Sequence, residues 1–303
     1  MDFRTSPATA ATFDLAEGVV WDDRAGLVRW VDIREGRVLA GTLSGNEIEI
    51  VDDRHLGQTT GAVALAEDGG LLIAAAHGLA TVSPDGQVAF GPDLTSAVAP
   101  EGRSPWRFND GIVDPQGRFL VGTLALDESP TGNDGDSSGP SEVLLRISPN
   151  GQVETLRTGM GMSNGLGFSP DGKILYLIDT LTGTLSRHSY GGSHGGGDFD
   201  VNEPWVTVID DFPSYADGMT VDANGDLWVA LWGGSRVSRY ASDGRHIGDI
   251  AINATQPTCV GFVGSSLNRL AITSARKGLT EAFDDSGSLF VGDVDAIGKL
   301  EYR

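Results

Sequence analysis

The chain has 303 residues, of which 43 are glycine and one is cysteine, and its formal net charge is −21. That charge argues against nucleic acid or an anionic membrane surface as partner, since both need a positive footprint. The lone Cys259 rules out an intramolecular disulfide and any cysteine-based zinc cluster. Residues 1–7 contain no apolar signal-peptide core, and no run of roughly 18 apolar residues occurs anywhere, so a soluble cytoplasmic protein is expected.

Taken in chain order, one phrase returns again and again: a polar residue, a small residue, an apolar stretch, a turn and a second apolar strand. Glu17-Gly-Val-Val-Trp-Asp-Asp leads into residues 27–31 and 38–40. Thr60-Gly-Ala-Val-Ala-Leu leads into 70–74 and 79–82, closed by the turn Ser83-Pro-Asp-Gly86. Asn109-Asp-Gly-Ile-Val-Asp-Pro-Gln-Gly117 leads into 118–121. An acidic, glycine-rich interruption at 127–140 then precedes 143–147. Asn164-Gly-Leu-Gly-Phe-Ser-Pro-Asp-Gly172 leads into 173–178 and 184–188, with a glycine-rich turn at 189–197. Asp217-Gly-Met-Thr-Val-Asp-Ala-Asn-Gly225 leads into 226–230 and 236–240, and Thr258-Cys-Val-Gly-Phe leads into 269–273.

These units begin at positions 17, 60, 109, 164, 217 and 258, with spacings of 43, 49, 55, 53 and 41 residues. A period of roughly 40–50 residues built from hairpins with glycine turns is the signature of a propeller with about four strands per blade. No segment keeps a helical period, and a β-sandwich would not give six units of this size. The expectation is an all-β fold: one domain over residues 1–303, a six-bladed β-propeller with four antiparallel strands per blade. The last unit runs out near residues 289–293, short of an outermost strand, and an open ring would leave edges exposed. The segment at 10–16 is expected to supply that strand and close the ring.

In a propeller the innermost strand of each blade lines the channel and begins at one mouth. The equivalent positions here are Glu17, Thr60, Asn109, Asn164, Asp217 and Thr258, every one bearing an oxygen. Singly, each reads as a turn former at a strand start. Together, two carboxylates and two amides on one ring suit a hard divalent cation such as Ca²⁺, Mg²⁺ or Mn²⁺, with Zn²⁺ or Fe²⁺ less favoured without histidine. His55, His77, His188, His194 and His246 all fall outside the ring positions, and no Gly-x-Ser-x-Gly elbow supports a covalent mechanism.

The motifs Glu17-Gly-x-x-Trp-Asp, Arg107-Phe-Asn-Asp-Gly111, Ser163-Asn-Gly-Leu-x-Phe-Ser-Pro-Asp-Gly172 and Asp217-Gly-Met-x-Val-Asp resemble the regucalcin/gluconolactonase (senescence marker protein) family. So does the stretch from Pro257 to Ala275, and the resemblance covers nearly the whole chain in order. It implies a metal-dependent lactonase with Glu17, Asn164 and Asp217 as metal ligands; the oxygen donor set favours Ca²⁺, and Asp217, as ligand or near-ligand, is the candidate catalytic residue, accepting the proton of a bound water. It further implies that Arg107 and Asn109 contact substrate. A substrate-binding glutamate of some members falls here at Asp127, whose shorter side chain departs from that pattern. The expected partner is a small sugar lactone, and the protein is expected to be a monomer or weak homo-oligomer. Two other readings keep the same site: another ester or phosphotriester as substrate, or a calcium-binding or interaction propeller without turnover.

Overall fold

The computed structural model describes residues 6–95, 106–126, 142–191, 205–208, 214–279 and 285–303, with the side chains of 205–208 left aside. The described chain is almost wholly β and forms six small antiparallel sheets, each meandering in sequence order. Blade one is β1 (Ala16–Asp22), β2 (Leu27–Asp32), β3 (Arg37–Ser44) and β4 (Glu47–His55). Blade two is β5 (Thr60–Leu65), β6 (Leu71–Ala75), β7 (Gly78–Val82) and β8 (Val88–Asp93). Blade three is β9 (Trp106–Val113), β10 (Phe119–Ala125), β11 (Glu142–Ile147) and β12 (Val153–Met160). Blade four is β13 (Ser163–Phe168), β14 (Ile174–Asp179), β15 (Thr184–Ser189) and β16 (Trp205–Val208). Blade five is β17 (Tyr215–Val221), β18 (Leu227–Trp232), β19 (Arg236–Tyr240) and β20 (His246–Ala251). Blade six holds β21 (Pro257–Val263), β22 (Arg269–Ser274) and β23 (Phe290–Asp293). Each inner strand touches those of both neighbouring blades, so β1, β5, β9, β13, β17 and β21 close a ring. The six-bladed propeller read from the repeat is the observed fold.

The packing explains why the repeat had to be apolar on both strand faces. Six buried clusters form, and each lies between two neighbouring blades: blades one and two share one, two and three the next, and so on around to six and one. A blade is thus sandwiched on both sides, and the inner strands β5, β13 and β21 are buried at every residue. Outer strands relax this demand; β8 is exposed throughout.

The hairpin turns follow from short polar side chains. Asp114 accepts hydrogen bonds from the Gln116 and Arg118 amides, and Asp222 from the Asn224 and Asp226 amides, all at 2.9–3.0 Å. In blade four the Ser169 hydroxyl takes the Ile174 amide at 3.0 Å. Gly117, Gly172 and Gly225, the turn glycines of the sequence phrase, all sit at positive φ (75°, 69° and 89°), where an L side chain is strained. His188 is buried within blade four, where it meets the Ser186 hydroxyl at 2.8 Å. It is a core residue.

Both termini brace the ring. The N-terminal segment lies against blade six as expected: Pro7, upstream of the 10–16 stretch, bridges to Phe290 of β23, and within that stretch Leu15 bridges to Ala275 and the Phe13 amide donates to the Gly287 carbonyl at 2.8 Å. The Ala8 amide donates to the Leu289 carbonyl at 2.6 Å, and the Ile48 amide donates to the Ala8 carbonyl at 2.7 Å. One turn of extended chain therefore ties blade six to the outer strand of blade one. Phe13 completes the seam: it is buried, edge-on to Trp30 at 5.7 Å, with Arg37 over its ring at 5.6 Å. At the far end of the channel, the Gly298 amide donates to Leu267, and Tyr302 packs edge-on against Phe168. Arg303 pairs with Asp23 beyond it. No described helix is long and apolar enough to cross a membrane.

If the N-terminal segment is the clasp, Phe13→Ala should cost about 3–4 kcal/mol, the usual range for emptying a buried aromatic site. Urea denaturation monitored by tryptophan fluorescence checks it, and a loss below about 1 kcal/mol would show that blade six closes without this seam.

Candidate active site

The six ring residues meet at one mouth because each inner strand bulges just there. In blades one, two, four, five and six the register with the second strand slips within three residues of the ring residue. In blade three it slips opposite Asn109, between Val121 and Thr123. A bulge adds twist and re-aims the side chain at its centre. The approach to the ring is also pinned: Asp32 accepts the Leu15 amide at 3.1 Å, and Asp179 accepts the Gly161 and Met162 amides at 3.0 Å. These two aspartates set the start of β1 and β13, hence the placement of Glu17 and Asn164.

Glu17, Asn164 and Asp217 come together, each no more than 7% exposed. Asn164 Nδ2 donates to Asp217 Oδ1 at 2.5 Å and to the Thr180 hydroxyl at 3.2 Å. Thr180 in turn donates to the Ala216 carbonyl at 2.8 Å, which fixes the amide's orientation. Among the described residues no donor reaches Asn164 Oδ1, so that oxygen is available beside the two carboxylates. Among the described residues Glu17 Oε2 accepts only the Gly18 amide, at 2.7 Å.

The electrostatics are unfavourable as they stand. Burial, then the charges of Asp217 and Asp110, push the Glu17 carboxyl well above the usual carboxylate range, and the Gly18 amide and Arg107 only partly oppose this. Burial and Asp110 push Asp217 up likewise, against Asn164, Arg107 and Lys277. Two buried carboxylates with one neutral amide oxygen between them form a hard-donor set that a divalent cation would relieve. No three Asp, Glu, His or Cys side chains form a metal-type group among the described residues, so the fit depends on Asn164 as third donor.

The remaining predicted residues divide. Asn109 is at the ring, yet its amide is committed on both sides: Nδ2 donates to the Ser163 carbonyl at 3.0 Å, and Oδ1 accepts from Arg107 Nη1 at 2.8 Å. Arg107, 3% exposed, also donates to the Phe108 carbonyl at 3.0 Å. Asn109 therefore acts by holding the guanidinium in the mouth. Thr60 and Thr258 are wall residues, their hydroxyls donating to the Gln58 and Ala16 carbonyls. Asp127 lies outside the described residues. The ring frame missed Asp110, Thr180 and Cys259. Asp110 and Cys259 were legible in principle, because they stand one residue past the ring where blades one, two, four and five carry Gly18, Gly61, Gly165 and Gly218. Burial, with Glu17 and Asp110 nearby, pushes the Cys259 thiol up, which leaves it an inert wall group and not a nucleophile.

Comparison with known proteins places this geometry. Residues 15–276 match the family described as SMP-30/Gluconolactonase/LRE-like region. The chain is 33% identical to pentonolactonase XacC of Haloferax volcanii, over 95% of this chain and 94% of that one. It is 31% identical to L-arabinolactonase of Azospirillum brasilense, over 95% and 91% respectively. A solved structure of regucalcin from Agrobacterium tumefaciens, described as a calcium-binding protein, is similar with a TM-score of 0.84. That likeness carries 27% identity and covers 99% of this chain and 98% of that one.

Raised carboxyl pKa values mean that the folded chain keeps protons which the unfolded chain has shed, so this site costs stability as pH rises above the ordinary carboxylate range. Asp217→Asn is therefore expected to stabilise the metal-free protein at pH 8 by roughly 1–3 kcal/mol, and the gain should shrink as pH falls toward about 4. Thermal melts in chelator at both pH values read this out. A variant less stable than the parent at pH 8 would mean the protein already compensates the buried charge.

Proposed function

The chain belongs to the SMP-30/gluconolactonase/LRE-like family, and from that premise we propose that it opens a small sugar lactone by hydrolysis, with one divalent cation held by Glu17, Asn164 and Asp217. The observation that carries this reading is the only partly compensated Glu17–Asp217 pair, buried at the mouth beside a fixed guanidinium. Catalysis of ester opening needs both a charge-stabilising group and a proton acceptor at one point, and the mouth offers both. Relatives named for pentonolactone and arabinolactone support the substrate class.

A divalent cation in this site supplies Lewis acidity to a carbonyl oxygen and acidifies water. The all-oxygen donor set favours Ca²⁺, with Mg²⁺ and Mn²⁺ next and Zn²⁺ or Fe²⁺ behind them, and the calcium-binding description of the regucalcin structure agrees with that order. Asp217, as the carboxylate, is the proton acceptor: burial makes it a stronger base than a free carboxylate, so it takes a proton from the attacking water and returns it to the leaving ring oxygen. Asn164 orients Asp217 through the 2.5 Å hydrogen bond and so fixes the face from which the proton is taken. Arg107, held by Asn109, faces the developing oxyanion. A propeller that merely bound calcium would gain nothing from a buried arginine next to the ion, because like charges oppose one another there.

Exhaustive chelation is expected to abolish hydrolysis of a panel of aldonolactones, and added divalent metal to restore it. Asp217→Ala should lower kcat by roughly 10³-fold or more, and Arg107→Ala by about 10²-fold, the scale of losing one oxyanion-stabilising group. Hydrolysis that survives chelation, or an Asp217→Ala protein that no longer binds metal yet turns over normally, would overturn the mechanism.

A further inference from the structure

Arg107 is carried on a part of β9 that runs past the ring toward the mouth. β9 begins three residues before Asn109, whereas the other inner strands begin no more than two before their ring residues. On one edge this extension pairs with the end of β10, with Arg107 opposite Leu124 and Trp106 opposite Ala125. Its other edge meets blade two, at the turn of residues 76 and 77 between β6 and β7.

Two hydrogen bonds make that second contact. The Ala76 carbonyl accepts the Phe108 amide at 3.1 Å. Nε2 of His77 lies 2.9 Å from the Trp106 carbonyl oxygen, and since a carbonyl can only accept, the imidazole donates. The bonds fall on the residue before Arg107 and the residue after it, so the turn takes the place of a short partner strand. The imidazole also lies against the Trp106 ring, with centroids 5.0 Å apart, and Trp106 stands edge-on to Phe108 at 5.2 Å.

The turn is itself held in place. The His77 carbonyl accepts the Leu94 amide at 2.7 Å. A Cβ on Gly78 would stand 2.6 Å from the Pro92 carbonyl oxygen, so β7 lies hard against β8 there. The guanidinium, for its part, bonds to the Phe108 carbonyl and to Asn109 Oδ1, both in its own strand. Whatever displaces the start of β9 therefore displaces the guanidinium with it. Of the groups that bracket Arg107, Ala76 and Phe108 contribute backbone atoms that any residue would supply. His77 contributes a side chain, and it is exposed at the rim, outside the buried cluster shared by blades two and three.

We propose that His77 is a positioning residue for the hydrolysis: by donating to the Trp106 carbonyl it holds the start of β9, and so places the Arg107 guanidinium against the charge that develops on the substrate. This inference rests on the lactonase reading and extends the site from the ring to a turn of the neighbouring blade. A guanidinium stabilises a developing oxyanion only where its donors already point at it, so a residue that fixes its strand contributes to kcat without touching the substrate.

Two replacements separate the donor from the ring. His77→Phe keeps an aromatic ring beside Trp106 and loses the donor, whereas His77→Gln keeps a donor and loses the ring. Steady-state kinetics on one aldonolactone, with calorimetric titration of Ca²⁺, compare both with the parent. His77→Phe should lower kcat roughly fivefold, the scale of one lost hydrogen bond. Its KM and its Ca²⁺ affinity should stay within about twofold of the parent. His77→Gln should recover most of the parent's kcat. In an Arg107→Ala background His77→Phe should lower kcat no further, because the group it positions is gone. A His77→Phe protein with the parent's kcat overturns the role, as does an equal loss in His77→Gln or a further loss of that size without Arg107. A parent protein inactive on every aldonolactone overturns the lactonase reading and the positioning role with it.

Discussion

A Cβ added to Gly61 would stand 2.3 Å from the Asn109 carbonyl oxygen in the next blade, and one added to Gly165 would stand 2.5 Å from the Asp217 carbonyl oxygen. One added to Gly218 would meet Cys259 at 2.7 Å. The inner strands of neighbouring blades thus approach too closely for a side chain at these points. Everything at the mouth depends on that approach. It draws six residues from distant parts of the chain to one ring, and it leaves their side chains one direction to take, inward and up. The inter-blade clusters hold the strands at this distance, since each blade must cover both its faces with its neighbours.

Crowding so many polar groups at one point would destabilise a fold with no further purpose. Here the crowding is made worse by Asp110, which takes the position that glycine holds in four other blades. Burial pushes its carboxyl up to about 6, with the Gly111 and Leu166 amides opposing and Glu301 adding to the rise. Below the ring a cavity of about 70 Å³ is lined by Asp110, Cys259 and Glu301 among others, with the C-terminal segment forming part of its wall. At the mouth Arg107 is a buried counter-charge fixed by hydrogen bonds. Stability and function pull in opposite directions at this ring, as they often do where a site must hold charge in readiness.

The termini show how a ring of nearly independent sheets becomes one cooperative body. Blade six has three strands in place of four, and the Pro7–Ala8 segment supplies the missing pairing while also bonding to Ile48 in blade one. The C-terminal residues do the complementary work on the opposite face, reaching from Leu267 past Phe168 to Asp23. Each is short, and each joins blades that the chain order alone leaves apart.

What was legible in the sequence follows from local chemistry that repeats. Turn glycines with aspartate, asparagine or serine nearby announced the hairpins. Apolar runs announced strands covered on both sides. Their common frame by itself puts Glu17, Asn164 and Asp217 at equivalent positions. The repeat could do this because each blade solves the same packing problem with the same phrase. What it could not decide was anything set between blades. That the Asn109 amide donates to the Ser163 carbonyl, that Asn164 is tied to Asp217 with Thr180 bonded to the Ala216 carbonyl, and that Asp110 presses on Glu17 are contacts between residues of different blades, far apart in the chain. The bridge to β23 itself falls at Pro7, while Phe13 and Leu15 meet Gly287 and Ala275, for the same reason: where blade six presents free backbone groups is a property of the assembled ring. Side-chain type and spacing determined which atoms could meet; only the tertiary structure decided which of their hydrogen bonds were already taken.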